Sequence, residues 1–170
     1  MGSKAFKEKK LPHSVSKKID QAMMRKMTVI VGEAPGANRA FQDYLASSNY
    51  HKVIIGHAKS IRYNAGNWKT RKFGDKVRER ENKMILICDS AIIIWADKSG
   101  VIAENLEVLK RLGKPTFLYE YSNETQTGKA SWLDPNRVYD PYFFWKEHMR
   151  KKKRMNTKST KHMSPKSEPD

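Results

Sequence analysis

The chain has 170 residues, 38% of them apolar, with 34 Lys and Arg against 18 Asp and Glu and a formal net charge of +16. That length and apolar content suit one domain with one core, and no uninterrupted apolar run nears a membrane span, so a soluble, cytoplasmic protein is expected. The single cysteine, Cys88, excludes an internal disulfide and a cysteine-based zinc site. Set among Ile85, Leu86 and Ile87, it reads as a buried apolar residue. Residues 1–26 carry eight Lys/Arg against Glu8 and Asp20, and residues 146–170 carry nine against Glu147, Glu168 and Asp170, so most of the excess charge lies at the two ends. Ends of this kind either neutralise phosphates in weak nucleic-acid contacts or act only as solubilising tails.

Residues 1–12 hold few apolar side chains and are expected to form a disordered basic tail ahead of a domain spanning residues 13–150. In residues 14–27, Val15, Ile19, Met23 and Met27 fall four apart on one helical face. Residues 28–32 (TVIVG) form the clearest first strand of an α/β sheet, and the small-residue loop from Gly32 through Ala34, Pro35 and Gly36 to Asn38 and Arg39 leads into a helix carrying Phe41, Tyr44 and Leu45. A glycine at a strand end, a Pro-Gly turn and a helix start make a phosphate cradle. It is neither a Walker loop nor a complete dinucleotide fingerprint. Arg39 on the first turn is expected to reach a ligand phosphate; the alternative is an exposed residue paired with Asp43. A second strand, residues 52–56, ends at His57, which reads as a strand-end histidine rather than a general base. No second histidine is spaced for a metal site, and no cofactor is indicated. Residues 58–75 then form a long polar loop. In one reading Arg62 and Asn64 hold phosphate or ribose and Trp68 stacks on a base; in the other, Trp68 anchors a surface loop to the core.

Residues 75–88 form a charged helix that turns apolar at Met84, Ile85 and Ile87. The run AIIIWA at residues 91–96 has the continuous apolar character of a strand covered on both faces. Asp97, Lys98, Ser99 and Gly100 make a turn, a helix follows from Val101 to Gly113, and a strand opens after Pro115. This is a right-handed βαβ unit with parallel strands. In such sheets ligands lie beyond the carboxyl ends of strands, so Asp97, Ser99, Gly100 and Val101 are placed at a second anion cradle, with Glu104 on the first helical turn facing it. The plainer alternative makes Ser99 or Asp97 an N-cap and Glu104 a dipole-complementing acid. Residues 122–129 read as a polar loop. The aromatic cluster Trp132, Tyr139, Tyr142, Phe143, Phe144 and Trp145 needs burial against the sheet or in a homodimer, and residues 151–170 read as a second disordered basic tail.

The stretch Val31-Gly32-Glu33-Ala34-Pro35-Gly36-Ala37-Asn38-Arg39 resembles the G-G-A-x-G-x-D-R loop of the SLOG superfamily of Rossmann-like proteins, particularly its members related to the YspA type. The segment Trp95-Ala96-Asp97-Lys98-Ser99-Gly100 with Asn105 and Gly113-Lys114-Pro115 resembles that superfamily's W-D-G-K-S-x-G-T-x-x-N-I and G-K-P elements. Ser99-Gly100-Val101-Ile102-Ala103-Glu104 is also similar to the S-G-T-x-x-E signature of nucleoside 2-deoxyribosyltransferases, and Arg80-Glu81-Asn82-Lys83-Met84 partly matches the R-K-x-x-M helix of LOG phosphoribohydrolases. The resemblance implies a single three-layer, doubly wound, Rossmann-like domain with a mainly parallel sheet of four or five strands. It implies binding of a nucleotide-like ligand between two lips, residues 32–39 and 97–104. Two further functions follow from it as alternatives: cleavage or transfer at an N-glycosidic bond, with Glu104 and Arg80 as catalytic residues, and DprA-like nucleic-acid binding through the basic ends.

Overall fold

The structure, a computed structural model, describes residues 1–98 and 100–139. Its elements in chain order are α1 (His13–Met24), β1 (Val29–Gly32), α2 (Ala37–Ser47), β2 (Val53–His57), β3 (Lys69–Lys72), α3 (Val77–Ile87), β4 (Ala91–Ala96), α4 (Gly100–Arg111), β5 (Thr116–Ser122) and β6 (Thr127–Trp132). Ser99 and the aromatic residues Tyr142, Phe143, Phe144 and Trp145 lie outside the described residues, as does the C-terminal basic end.

The fold is α/β, but the expectation of one sheet with four or five strands is corrected. Two three-stranded sheets form among the described residues, one ordered β1-β2-β3 and the other β4-β5-β6. The first is wholly parallel, with Val29 opposite Val53 and Ile54 opposite Lys69. The second joins a parallel pair, Ala91 opposite Thr116, to an antiparallel hairpin, Phe117 opposite Trp132. Both unanticipated strands are edges. The β3 sequence KTRK is exposed throughout and β6 nearly so. Neither carries the apolar alternation that marks a half-buried strand, and charge on an edge discourages further pairing.

The inner strands behave as their sequence indicates. Ile94 and Ala96 of β4 enter one core with Val15 and Ile19 of α1 and Phe41 and Leu45 of α2. Ile93 and Trp95 enter a second core with Ile85 of α3 and Ile102, Leu106 and Leu109 of α4. The period-two alternation of a strand therefore feeds two helical layers, one on each face. The Gly113-Lys114-Pro115 turn has a structural task. Gly113 ends α4 at φ +62°, and the Lys114 ammonium donates to the Ile85 and Leu86 carbonyls at 2.7 and 2.8 Å, closing the carboxyl end of α3.

The expected disordered tail at residues 1–12 is also corrected. Gly2 forms a parallel bridge with Ile94 on the free edge of β4, where the Ser3 amide donates to the Ile94 carbonyl at 2.9 Å and the Ile94 amide donates to the Met1 carbonyl at 3.3 Å. Phe6 is buried and meets the Tyr121 ring edge-on, with centroids 5.1 Å apart. These bonds use main-chain groups that every residue carries, so apolar periodicity does not announce them.

Candidate functional site at the carboxyl ends of β1 and β4

The strands β1 and β4 are not paired with each other, and residues 1–3 occupy the carboxyl half of the gap between them. Helix α2 starts on one side of this gap. Its N-cap, Gly36, sits at φ +79° and ψ −134°, a conformation costly for any residue with a Cβ. The expected close approach at Gly36 exists, but the chain makes it on itself. A Cβ on Gly36 would stand 2.5 Å from the Ser3 carbonyl oxygen and 2.6 Å from that of Lys4. The first free amide of the helix, that of Ala37, donates to the Ser3 carbonyl at 3.1 Å. In the seat where a phosphate oxygen was expected, a peptide oxygen accepts the bond.

The segment holding that oxygen is anchored along its length. The Ser3 hydroxyl accepts from the Ala96 amide at 2.9 Å, and the Asn123 side-chain amide donates to the Ala5 carbonyl at 2.8 Å. The Tyr121 hydroxyl donates to Glu8 Oε1 at 2.6 Å, and this bond to a carboxylate pushes the phenol up to about 12. Burial of Phe6 contributes about 1.5–3 kcal/mol to the docking.

Next to the gap lies a buried polar cluster. The Arg80 guanidinium, 1% exposed, bonds Glu33 through one terminal nitrogen and Glu81 through the other. The Glu33 carboxylate also pairs with Arg62 at 3.0 Å, and Asn105 donates to Glu81 Oε2 at 3.3 Å. A Cβ on Gly32 would stand 3.2 Å from the Asn38 side-chain nitrogen and 3.4 Å from Arg80 Cζ. Gly32, Asn38 and Arg80, all expected at the site, are thus brought together. Two buried polar atoms here, Asn38 Oδ1 and Arg80 Nε, have no hydrogen-bond partner among the described residues. Such orphans are costly in a finished interior.

Other expected site residues are engaged elsewhere. Ala34 is half-buried and Pro35 exposed. Arg39 lies 3.9 Å from Asp43 and over the Tyr63 ring at 4.5 Å, which is the alternative pairing rather than a phosphate contact. Asn64 and Trp68 form a closed local pair: Asn64 donates to the Trp68 carbonyl at 2.9 Å and accepts the Trp68 amide at 2.9 Å. The buried Trp68 indole donates to the Tyr50 carbonyl at 3.0 Å. Trp68 is therefore the anchor of its loop, with no face open to a base. Arg62 reaches the cluster, through Glu33.

The second lip differs more. Asp97 and Lys98 both adopt φ +49°, left-handed conformations that cost about 1–2 kcal/mol each in residues bearing a Cβ. Asp97 is held there by accepting the Asn123 amide at 3.0 Å. Helix α4 begins at Gly100, so Glu104 lies on its second turn rather than its first. It pairs with Arg78 of α3 at 2.7 Å and remains 41% exposed. Val101 is exposed. The side chain of α4 that enters the cluster is the neighbouring Asn105. Glu33, Glu81, Asn105 and Ser3 are the site residues the sequence did not single out. Glu33 stands inside the first loop motif, beside the strand-end glycine, and that position was the available signal.

A cavity of about 590 Å³ lies at the opposite end of the same gap, lined by Val29 and Ile30 of β1, Ala91 and Ile92 of β4, and Lys18 of α1. The gap is thus open at the amino ends of the strands and filled by residues 1–3 at the carboxyl ends. Among the described residues no group of three or more His, Cys, Asp or Glu side chains could hold a metal ion, and no helix is long and apolar enough to cross a membrane. No protein-family model, no curated protein and no solved structure matches this chain.

Proposed function

We propose that this chain binds a phosphorylated nucleoside or related nucleotide as a Rossmann-like, SLOG-type domain, with the ligand seated between the carboxyl ends of β1 and β4. In a doubly wound sheet these two strands flank the point where strand order reverses, and ligands bind in the crevice there. The observation that carries the reading is the Ala37 amide at the start of α2, which holds the Ser3 carbonyl oxygen at 3.1 Å beside left-handed Gly36. That oxygen stands in for one phosphate oxygen. The unpartnered Asn38 Oδ1 and Arg80 Nε nearby supply a further acceptor and donor for ligand polar groups.

Thermal-shift titration with adenine, adenosine, AMP and ADP tests the reading. The nucleotides should stabilise the protein more than the free base and nucleoside, because a phosphate gains charge-assisted bonds at a helix start that a base does not. Equal responses to adenine and AMP, or none to any phosphate, would overturn it. An N-glycosidic reaction through Glu104 draws no support from this geometry, because Glu104 is turned to Arg78.

A further inference from the structure

We propose that residues 1–6 form an intramolecular plug that occupies the ligand seat, and that a nucleotide must displace it in order to bind. The inference rests on the nucleotide-binding reading above and adds its regulation. Two features set this segment apart from an ordinary edge strand. It takes the anion seat itself, since the Ser3 carbonyl accepts the Ala37 amide, and one amide cannot serve a peptide oxygen and a phosphate oxygen together at full strength. It also covers its seat tightly: a Cβ on Gly2 would overlap the Ala37 Cβ, so no space for a ligand remains between segment and helix.

The anchors run along the segment: the Met1 amino group donates to the Ile92 carbonyl at 3.0 Å, and Phe6 enters the core that holds Val15 and Ile19. Beyond Ser3 the segment is held by Phe6 against Tyr121, by Asn123 on the Ala5 carbonyl and by Glu8 on the Tyr121 hydroxyl, while Lys4, Lys7, Lys9 and Lys10 are exposed. Because binding and release are linked, a ligand that takes the Ala37 amide must raise the population of the released state, and a substitution that favours release must raise apparent affinity.

Two full-chain variants free the segment by different means. Gly2→Val forces the Cβ clash at Ala37, and Phe6→Asp removes the apolar anchor. Trypsin cleavage after Lys4 and Lys7 reports release without any ligand and should be faster in both. If the plug is docked in about nine molecules of ten or more, AMP affinity should rise about tenfold or more in each. In the unsubstituted chain, AMP should speed amide exchange at Ser3 and Phe6 while protecting Ala37. AMP binding without faster exchange at Ser3, or freed variants that bind no more tightly, would overturn the plug and leave nucleotide binding standing. Freed variants and unsubstituted chain that all fail to bind AMP, ADP or inorganic pyrophosphate would overturn the binding reading, and the plug with it.

Discussion

The Ser3 carbonyl oxygen accepts the Ala37 amide at 3.1 Å, joining the start of the chain to the start of α2 at the place where an α/β sheet receives its ligands. This one bond ties stability and proposed function together, because whatever loosens residues 1–6 also opens the seat.

Alkaline pH should loosen them. The Tyr121 phenol, held by Glu8, is raised to about 12 in the folded protein, against about 10 in an unfolded chain. The folded state therefore favours the protonated phenol. Its contribution is fully present below about pH 10 and is lost as pH rises towards about 12. Stability in urea unfolding should fall across that window in the unsubstituted chain. Tyr121→Phe should remove the Tyr121 share of that fall, leaving the share of the other raised tyrosines, Tyr44, Tyr50, Tyr63 and Tyr119.

The cluster around Arg80 should behave as a buried ion network. Arg80→Met leaves Glu33 and Glu81 without their shared partner and should cost about 3–5 kcal/mol in urea unfolding, as removal of one member of a buried pair does. Arg80→Met combined with Glu33→Gln and Glu81→Gln should recover much of that loss. No recovery would mean that the packing of the guanidinium, rather than its charge, stabilises the site.

Glu104 offers a contrast. Its pair with Arg78 is largely exposed, and such pairs contribute about 0–1 kcal/mol. Glu104→Gln should therefore change stability and nucleotide affinity little. Chromatography of a ribo- and deoxyribonucleotide panel after long incubation reads catalysis directly: the expected result is no difference in free base between variant and unsubstituted chain. A fall of about a hundredfold would restore Glu104 as a charge-stabilising residue at an anomeric carbon.

The exposed lysines of the docked segment give a separate nucleic-acid test. Changing Lys4, Lys7, Lys9 and Lys10 to Gln should reduce the salt dependence of any duplex-DNA binding, by about 0.9 in log–log slope for each phosphate that is no longer neutralised. Fluorescence anisotropy across a salt series measures it. An unchanged slope would place the DNA on other basic residues.

By itself, the sequence determined the parts of this protein written in side-chain periodicity. The β-branched run of β4, the helical spacing of α1 and α4, and the strand–loop–helix passage at Gly32 and Gly36 could all be read from residue type and spacing, whereas Arg80 was placed at the site only by the resemblance of residues 80–84 to a family motif. Tertiary structure alone decided the rest. Strands β3 and β6 are exposed edges without an apolar stripe, so only their partners reveal them. Asn105 rather than Glu104 enters the cluster because Asn105 lies on the buried face with Ile102, Leu106 and Leu109, and one residue turns a helix by about 100°. Arg39 and Trp68 are engaged by Tyr63 and Tyr50, partners remote in sequence. The docking of residues 1–6 rests mainly on peptide N–H and C=O groups, identical at nearly every position, so only the free edge of β4 and the open amide of Ala37 could determine where that segment would lie.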